Sequence, residues 1–236
     1  MTPQYNVPGL FITSTGTGIG KTFLTSALTA YWRDSGSPVH ALKPVISGFS
    51  ERDETSDTHQ LLKALGEPVT AKTIEAISPW RYREPLGPTM AAAAEGKTLP
   101  FDDLVSFCQG ALANGDFTLI EGVGGAFVPL DDDHLVTDWI TALGIPNILV
   151  TTSTLGTLSH TIATVRAMAE AQVSPLAVIV SEDPASDVSF HDTVAHMRHW
   201  LGDTKILTLP YVRNAEELAK AIAPLAHEVS AIVSAS

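Results

Sequence analysis

The stretch Thr13-Ser-Thr-Gly-Thr-Gly-Ile-Gly-Lys-Thr22 constrains this chain more than any other. It follows an apolar run at residues 10–13 and opens a helical pattern at Lys21, and a strand that turns through glycines into a helix start is the context of a phosphate-binding loop. Gly16, Gly18 and Gly20, with Thr17 and Ile19 between them, let the backbone turn tightly and aim N–H groups inward. The helix N-terminus adds partial positive charge, and Lys21 supplies a full charge for the β and γ phosphates of a nucleotide. Thr22 then offers a hydroxyl to magnesium. The strict pattern G-x-x-x-x-G-K-[ST] is not met, because Thr15 stands at the first glycine position. The strand before and the helix after carry the assignment instead.

Along the rest of the chain short apolar runs alternate with longer helical patterns, which predicts β-α-β units. Strands are expected at 10–13, 39–43, 118–121, 147–151, 176–180 and 206–209, each almost continuously apolar, as strands covered on both faces must be. The clearest helices are expected at 21–35, 101–113, 157–172, 189–201 and 215–226. The expected fold is α/β, a single domain over residues 1–236 with a mostly parallel sheet and helices on both faces. Residues 50–96 are the exception, with a short helix near 57–65, prolines at 68, 79, 85 and 88, and no strong strand. They read as a long functional excursion over the sheet.

A phosphate-binding loop needs an acidic group near its metal, usually at the end of another strand. Thr118-Leu-Ile-Glu121, followed by Gly-Val-Gly-Gly, supplies one. Glu121 is the expected metal ligand, and Gly122 and Gly124 would let backbone approach a ligand closely. Asp57, at the start of the short helix, is a second carboxylate able to reach the cation directly or through water; a plain helix cap is the competing reading. Lys43 ends the apolar strand His40-Ala-Leu-Lys-Pro-Val45, where a parallel sheet delivers residues to its ligand edge, so it is expected to face phosphates rather than solvent. Ser47 and Gly48 follow within reach of whatever lies beside the γ phosphate.

Charge narrows the partners. With 26 acidic residues against 14 basic ones and a formal net charge of −12, the chain is repelled by phosphate backbones and anionic lipid, so neither nucleic acid nor membrane is expected to bind it. The single cysteine, Cys108, allows no internal disulfide and lies on an amphipathic helical pattern as a core residue; the start MTPQYNVPG has no basic, apolar leader. The expectation is cytoplasmic. His196 and His199 are spaced as surface neighbours on one helix, and the eight histidines form no metal-binding cluster.

The order GTGIGKT, KPVISG, SD, EPLGP followed by AAAEG, EGVGG and LGTLSH resembles the dethiobiotin synthase family across nearly the whole chain, less well in the last third. The resemblance implies a homodimeric ligase that joins CO2, supplied as bicarbonate, to 7,8-diaminopelargonate with ATP and Mg2+. It implies that Lys21 and Lys43 neutralise phosphate and carbamate, that Thr17 and Ser47 hydrogen-bond the carbamate end, and that Thr22, Asp57 and Glu121 hold magnesium. It implies a substrate carboxylate at the helix start formed by Gly156, Thr157, Leu158 and Ser159, and a substrate wall shaped by Pro85 and Pro88, where an ordinary capped helix and a proline turn are the plainer readings.

Departures accompany the matches. Ser14 stands for a common glycine, Gly16 and Gly18 stand where many members carry acids, and Ser159 replaces an asparagine. Glu182 replaces an asparagine that reads adenine with a donor and an acceptor, whereas an ionised Glu only accepts. Backbone groups of Pro210, Tyr211 and Val212 are the other candidates for reading the base. A nucleotide-switched partition or positioning ATPase is the alternative function. Such proteins usually carry an extra lysine early in the loop, where this chain has Ser14, Thr15 and Gly16, and often a basic C-terminal helix, which this one lacks. An amide-forming ligase of cobyrinate type needs more chain than is present.

Overall fold

The computed structural model describes residues 7–235, so most of the start MTPQYNVPG, residues 1–6, lies outside the described residues. In chain order the elements are β1 (Gly9–Ser14), α1 (Lys21–Asp34), β2 (Val39–Leu42), β3 (Val45–Ile46), α2 (Asp57–Leu65), α3 (Ala71–Ile77), β4 (Trp80–Arg81), α4 (Pro88–Ala94), α5 (Phe101–Leu112) and β5 (Phe117–Glu121). They continue with α6 (Val136–Leu143), β6 (Asn147–Thr152), α7 (Thr157–Glu170), β7 (Ala177–Ser181), α8 (Phe190–Trp200), β8 (Lys205–Leu209) and α9 (Ala215–Ala235).

All six expected strands form one sheet in the order β2-β5-β1-β6-β7-β8, and every neighbouring pair is parallel. Continuous apolar runs such as Leu10-Phe-Ile12 and Ile148-Leu-Val150 are fully buried, as expected of strands covered by helices on both faces. The order reverses at β1, which lies between β5 and β6, so the loops leaving β1 and its neighbours open onto one crevice at the carboxyl edge. Beneath it Phe11 meets Trp139 edge-on at 4.8 Å, and Cys108 is buried and free, its thiol pKa pushed up by burial.

The structure adds to the expected elements in three places. Residues 50–96 hold two further helices, α3 and α4, and β4 pairs in parallel with β3, so the excursion is stitched back beside the end of β2. Thr70 caps α3 by accepting the Thr73 N–H at 3.2 Å. Helix α6 is entered where Asp138 accepts the Leu135 N–H at 2.7 Å. Helix α9 continues past residue 226 and carries Pro224 inside it, because its buried stripe of Ile222, Leu225, Ala226, Val229 and Val233 repays the lost backbone bond. That helix is long and apolar enough to cross a membrane by composition alone, yet it packs on α1 and β8.

Candidate functional site

At the end of β1 the chain enters the glycine loop, and α1 starts at Lys21 with Gly20 as its cap at φ 93°, a conformation only glycine adopts without strain. No side chain caps α1, which leaves its first N–H groups for a ligand. The Gly-Val-Gly-Gly turn after β5 packs directly on this loop. A Cβ on Gly125 would lie 3.2 Å from the Gly16 nitrogen and the Ser14 carbonyl, so a side chain there would press on backbone.

Two lysines are docked onto that turn. Lys21 Nζ donates to the Gly124 carbonyl at 2.8 Å and to Ser14 Oγ at 3.1 Å, and Lys43 Nζ donates to the Gly122 carbonyl at 2.7 Å. Lys43 also pairs with Glu121 Oε1 at 2.8 Å and with Asp57 Oδ2 at 3.3 Å. Thr22 Oγ1 donates to the same Glu121 oxygen at 2.7 Å. Glu121 is completely buried, and its other carboxylate oxygen, Oε2, has no hydrogen-bond partner.

Electrostatics follow from this crowding. Burial opposes the charge on Lys43, but Glu121 and then Asp57 outweigh it, and the ammonium pKa is raised. Burial likewise works against the Asp57 carboxylate, and Lys43, Thr22 and Lys21 overcome it, holding its pKa below the ordinary carboxylate value. Lys21 is the exception. Burial, reinforced by Lys43, pushes it down to about 8 despite Glu121 and Asp57. Asp57 begins α2, but its carboxylate is spent on Lys43 and not on a cap, while Ser56 Oγ bonds His59 Nδ1 at 2.6 Å.

A cavity of about 650 Å3 lies over this cluster and brings together Thr17, Gly18, Ile19, Gly20, Lys21, Thr22, Lys43, Ser47, Asp57, Pro85, Pro88, Glu121 and Gly124. Gly16 and Gly122 form its backing and do not line it. Ile46, Leu86, Val123 and Val128 add an apolar flank that the sequence reading did not single out, although Leu86 sits inside the Glu-Pro-Leu-Gly-Pro run. The Ser14 hydroxyl, whose role no local pattern announces, links the loop to the Gly124 carbonyl at 3.0 Å.

The remaining candidates stand apart from the cavity. Glu182 follows β7, whose last residue, Ser181, lies against the Gly20 position. Its Oε2 accepts the backbone N–H of Tyr211 at 2.9 Å, which joins Glu182 to the Pro210, Tyr211 and Val212 loop. At the start of α7, Gly156 has φ 91° and no side chain caps the helix. Thr157 turns its hydroxyl inward to Thr151 at 2.9 Å, Leu158 is half-buried and Ser159 is exposed.

Among the described residues no group of three or more His, Cys, Asp or Glu side chains is placed to hold a metal. Two carboxylates and a hydroxyl are available instead, and this all-oxygen set with an orphaned Glu121 oxygen fits a hard cation such as Mg2+, which usually takes one or two carboxylates plus substrate phosphates.

The family model described as "AAA domain" matches residues 8–218. The "ATP-dependent dethiobiotin synthetase BioD" of Acidiphilium cryptum (strain JF-5) is 43% identical over 198 residues, covering 82% of this chain and 88% of that protein. The protein of the same name from Bacillus subtilis (strain 168) is 37% identical over 183 residues, covering 76% and 78%. In fold, the chain is similar to the septum site-determining protein MinD of Pyrococcus horikoshii OT3, with a TM-score of 0.54, 17% identity and 94% and 95% coverage. It is also similar to a ParA family ATPase of Chlorobium tepidum TLS, with a TM-score of 0.52, 18% identity and 95% coverage of each chain.

Proposed function

The chain belongs to the ATP-dependent dethiobiotin synthetase family, a ligase forming carbon–nitrogen bonds in biotin biosynthesis, and from that premise we propose how its residues divide the reaction. The likeness to MinD and ParA proteins, at 17% and 18% identity, concerns the fold alone.

The substrate is 7,8-diaminopelargonate. One of its amines captures CO2, drawn from bicarbonate, and loses a proton to give a carbamate. A carbamate oxygen attacks the γ phosphorus of ATP and ADP leaves, giving a mixed anhydride. The second amine attacks the carbamoyl carbon, phosphate departs with the bonding pair, and the nitrogen gives up a proton as the ureido ring closes. Carbamate, triphosphate and the transferring phosphoryl group are all anionic, so the protein's task is to offset and orient charge rather than to form bonds.

The observation that carries this reading is the convergence of Lys43, Thr22 and Asp57 around the buried Glu121 under a cavity bounded by the glycine loop. Lys21 leaves the Gly124 carbonyl for the β and γ phosphates. Lys43, fixed between Glu121 and the Gly122 carbonyl, holds its positive charge toward the carbamate and the migrating phosphoryl group. Thr17 and Ser47, both lining the cavity, orient the carbamate end. Thr22, Asp57 and Glu121 hold Mg2+, which when bound neutralises phosphate charge. The apolar flank of Ile46, Leu86, Val123 and Val128, with Pro85 beside it, accepts the substrate's hydrocarbon chain and keeps water from the anhydride.

The active form is a homodimer, with residues 1–236 as one catalytic domain. The substrate carboxylate is received by the uncapped start of α7 at Gly156 to Ser159, where Leu155, 89% exposed, is left for a second subunit to cover. Glu182 and the loop at Pro210, Tyr211 and Val212 read the base. A free, buried Cys108 and a strongly acidic surface suit the cytoplasm.

Mass spectrometry of a reaction containing the protein, 7,8-diaminopelargonate, bicarbonate, Mg2+ and ATP is expected to show a product with the mass of dethiobiotin that vanishes when the diamine is omitted. ATP hydrolysis without that product would sink the assignment.

A further inference from the structure

Ser47 faces the nucleotide cavity, but the next residue, Gly48, lines a second, open groove of about 870 Å3 on the other side of the same turn. Arg52, Arg81, Arg83 and Lys97 all line it, against only Glu51 and Glu95. In a chain with 14 basic and 26 acidic residues, four cations meeting around two acids invert the charge of the surrounding surface.

The four are not equivalent. Arg81 is committed to Glu75 at 2.8 Å and lies 5.6 Å over the Phe49 ring, and Lys97 is committed to Glu95 at 2.6 Å. Arg52 and Arg83 are exposed and have no ion-pair partner among the described residues. Tyr82, 2% exposed, also lines the groove, with its hydroxyl buried inside the protein. The guanidinium forks of Arg52 and Arg83 form no ion pair in the groove as it stands, and Glu95 lies close enough to Arg83 to feel its charge. The backbone around them is fixed. Phe49 N–H donates to the Tyr82 carbonyl at 2.9 Å, Gly48 N–H to the Glu84 carbonyl at 3.0 Å, and Arg83 N–H to the Glu95 carboxylate at 2.7 Å.

We propose that this groove is a binding site for a doubly charged oxyanion, inorganic phosphate or the phosphoryl group of a small metabolite, held by Arg52 and Arg83. Guanidinium forks match phosphate oxygens two at a time. The chain's net charge of −12 disfavours polyanions, so the occupant is a small molecule and not a nucleic acid or membrane surface. The site is separate from the glycine loop, and its occupant sits against the turn that ends in Ser47.

Calorimetry tests this with the glycine loop first saturated by Mg2+ and a non-hydrolysable ATP analogue, so that phosphate cannot enter there. Titration with inorganic phosphate, and separately with glycerol 3-phosphate, is expected to show one further binding event. Tighter binding of phosphate assigns the free ion, and tighter binding of the ester assigns a phosphorylated metabolite. The double substitution Arg52→Ala with Arg83→Ala is expected to weaken it at least about tenfold. The double substitution Arg52→Lys with Arg83→Lys, which keeps the charge and loses the forks, is expected to weaken it several-fold. No binding of either probe, or affinity unchanged in both variants, overturns the proposal. None of these readouts depends on dethiobiotin formation.

Discussion

Between Lys21 and Glu121 each lysine of the site is held by several partners inside the protein, whereas beyond β7 and β8 the loops meet through one side-chain bond, Glu182 to the Tyr211 N–H. Lys43 is 3% exposed and Glu121 not at all, while Tyr211 is 50% exposed. The first region grows from the ends of β1, β2 and β5, adjacent strands whose register brings Ile12 opposite Glu121 and Leu42 opposite Ile120. The second hangs on loops past the sheet's edge. In the proposed division of roles, charge offsetting at the phosphates falls to preorganised groups and base reading to groups that solvent already satisfies. Substitutions should hurt in that order.

Lys43→Ala is the hardest blow to the first region. It removes a preorganised cation, and turnover is expected to fall on the order of a hundred- to thousand-fold, with ATP affinity moving far less. It also strands Glu121 as a buried carboxylate, at a cost of about 3–5 kcal/mol in stability. Steady-state kinetics alongside ATP titration and thermal melts check both halves, and an unchanged turnover number removes Lys43 from the chemistry.

Asp57 has 36% of its side chain accessible, against 3% for Lys43 and none for Glu121, so its loss should be milder. Asp57→Asn is expected to raise the free Mg2+ needed for half-maximal activity roughly tenfold, in the range seen when a supporting group of a metal site is lost. If the Mg2+ requirement stays put while turnover drops, Asp57 serves Lys43 and not the cation.

Protonation sharpens the contrast further. Lys21 titrates near 8 in the free protein, chiefly because it is buried. Phosphates favour its charged form, so ATP binding at pH 8 should take up roughly half a proton, and affinity should decline several-fold as pH rises from 7 to 9. Calorimetry in two buffers of different ionisation enthalpy measures the uptake directly. Zero uptake at pH 8 means that the lysine is fully charged before the nucleotide arrives.

The buried region was also the more legible one. Six strands could be read because both faces of each are covered, which leaves an apolar run with little else to be. Glycines and a lysine before a helix announced the loop, and Glu121 was conspicuous as a charge closing a buried strand. What pairs with what was not legible. Ser14 reaching Gly124, Lys21 docked on that carbonyl, and Glu182 accepting from Tyr211 join residues 110, 103 and 29 positions apart, and no local pattern encodes them. Helices α3 and α4 are seven residues each, too short for a periodic signal, and α9 outlasts Pro224 only because its stripe is buried.

Glu182 is where the comparison could break. Its carboxylate, half-buried, accepts one backbone N–H, and a hydrogen bond of this kind in partial contact with water contributes about 1 kcal/mol. Glu182→Ala is therefore expected to change the apparent affinity for ATP by no more than about five-fold and to leave turnover at saturating ATP unaltered. Because an ionised carboxylate only accepts, Glu182→Gln, which adds a donor, should shift the preference among ATP, GTP and CTP more than it changes the affinity for any one of them. Competition between the three nucleotides, run on both variants, gives the answer. A hundred-fold loss with Glu182→Ala would mean that the exposed loops anchor the nucleotide as firmly as the buried cluster does, and the division drawn between the two regions would not stand.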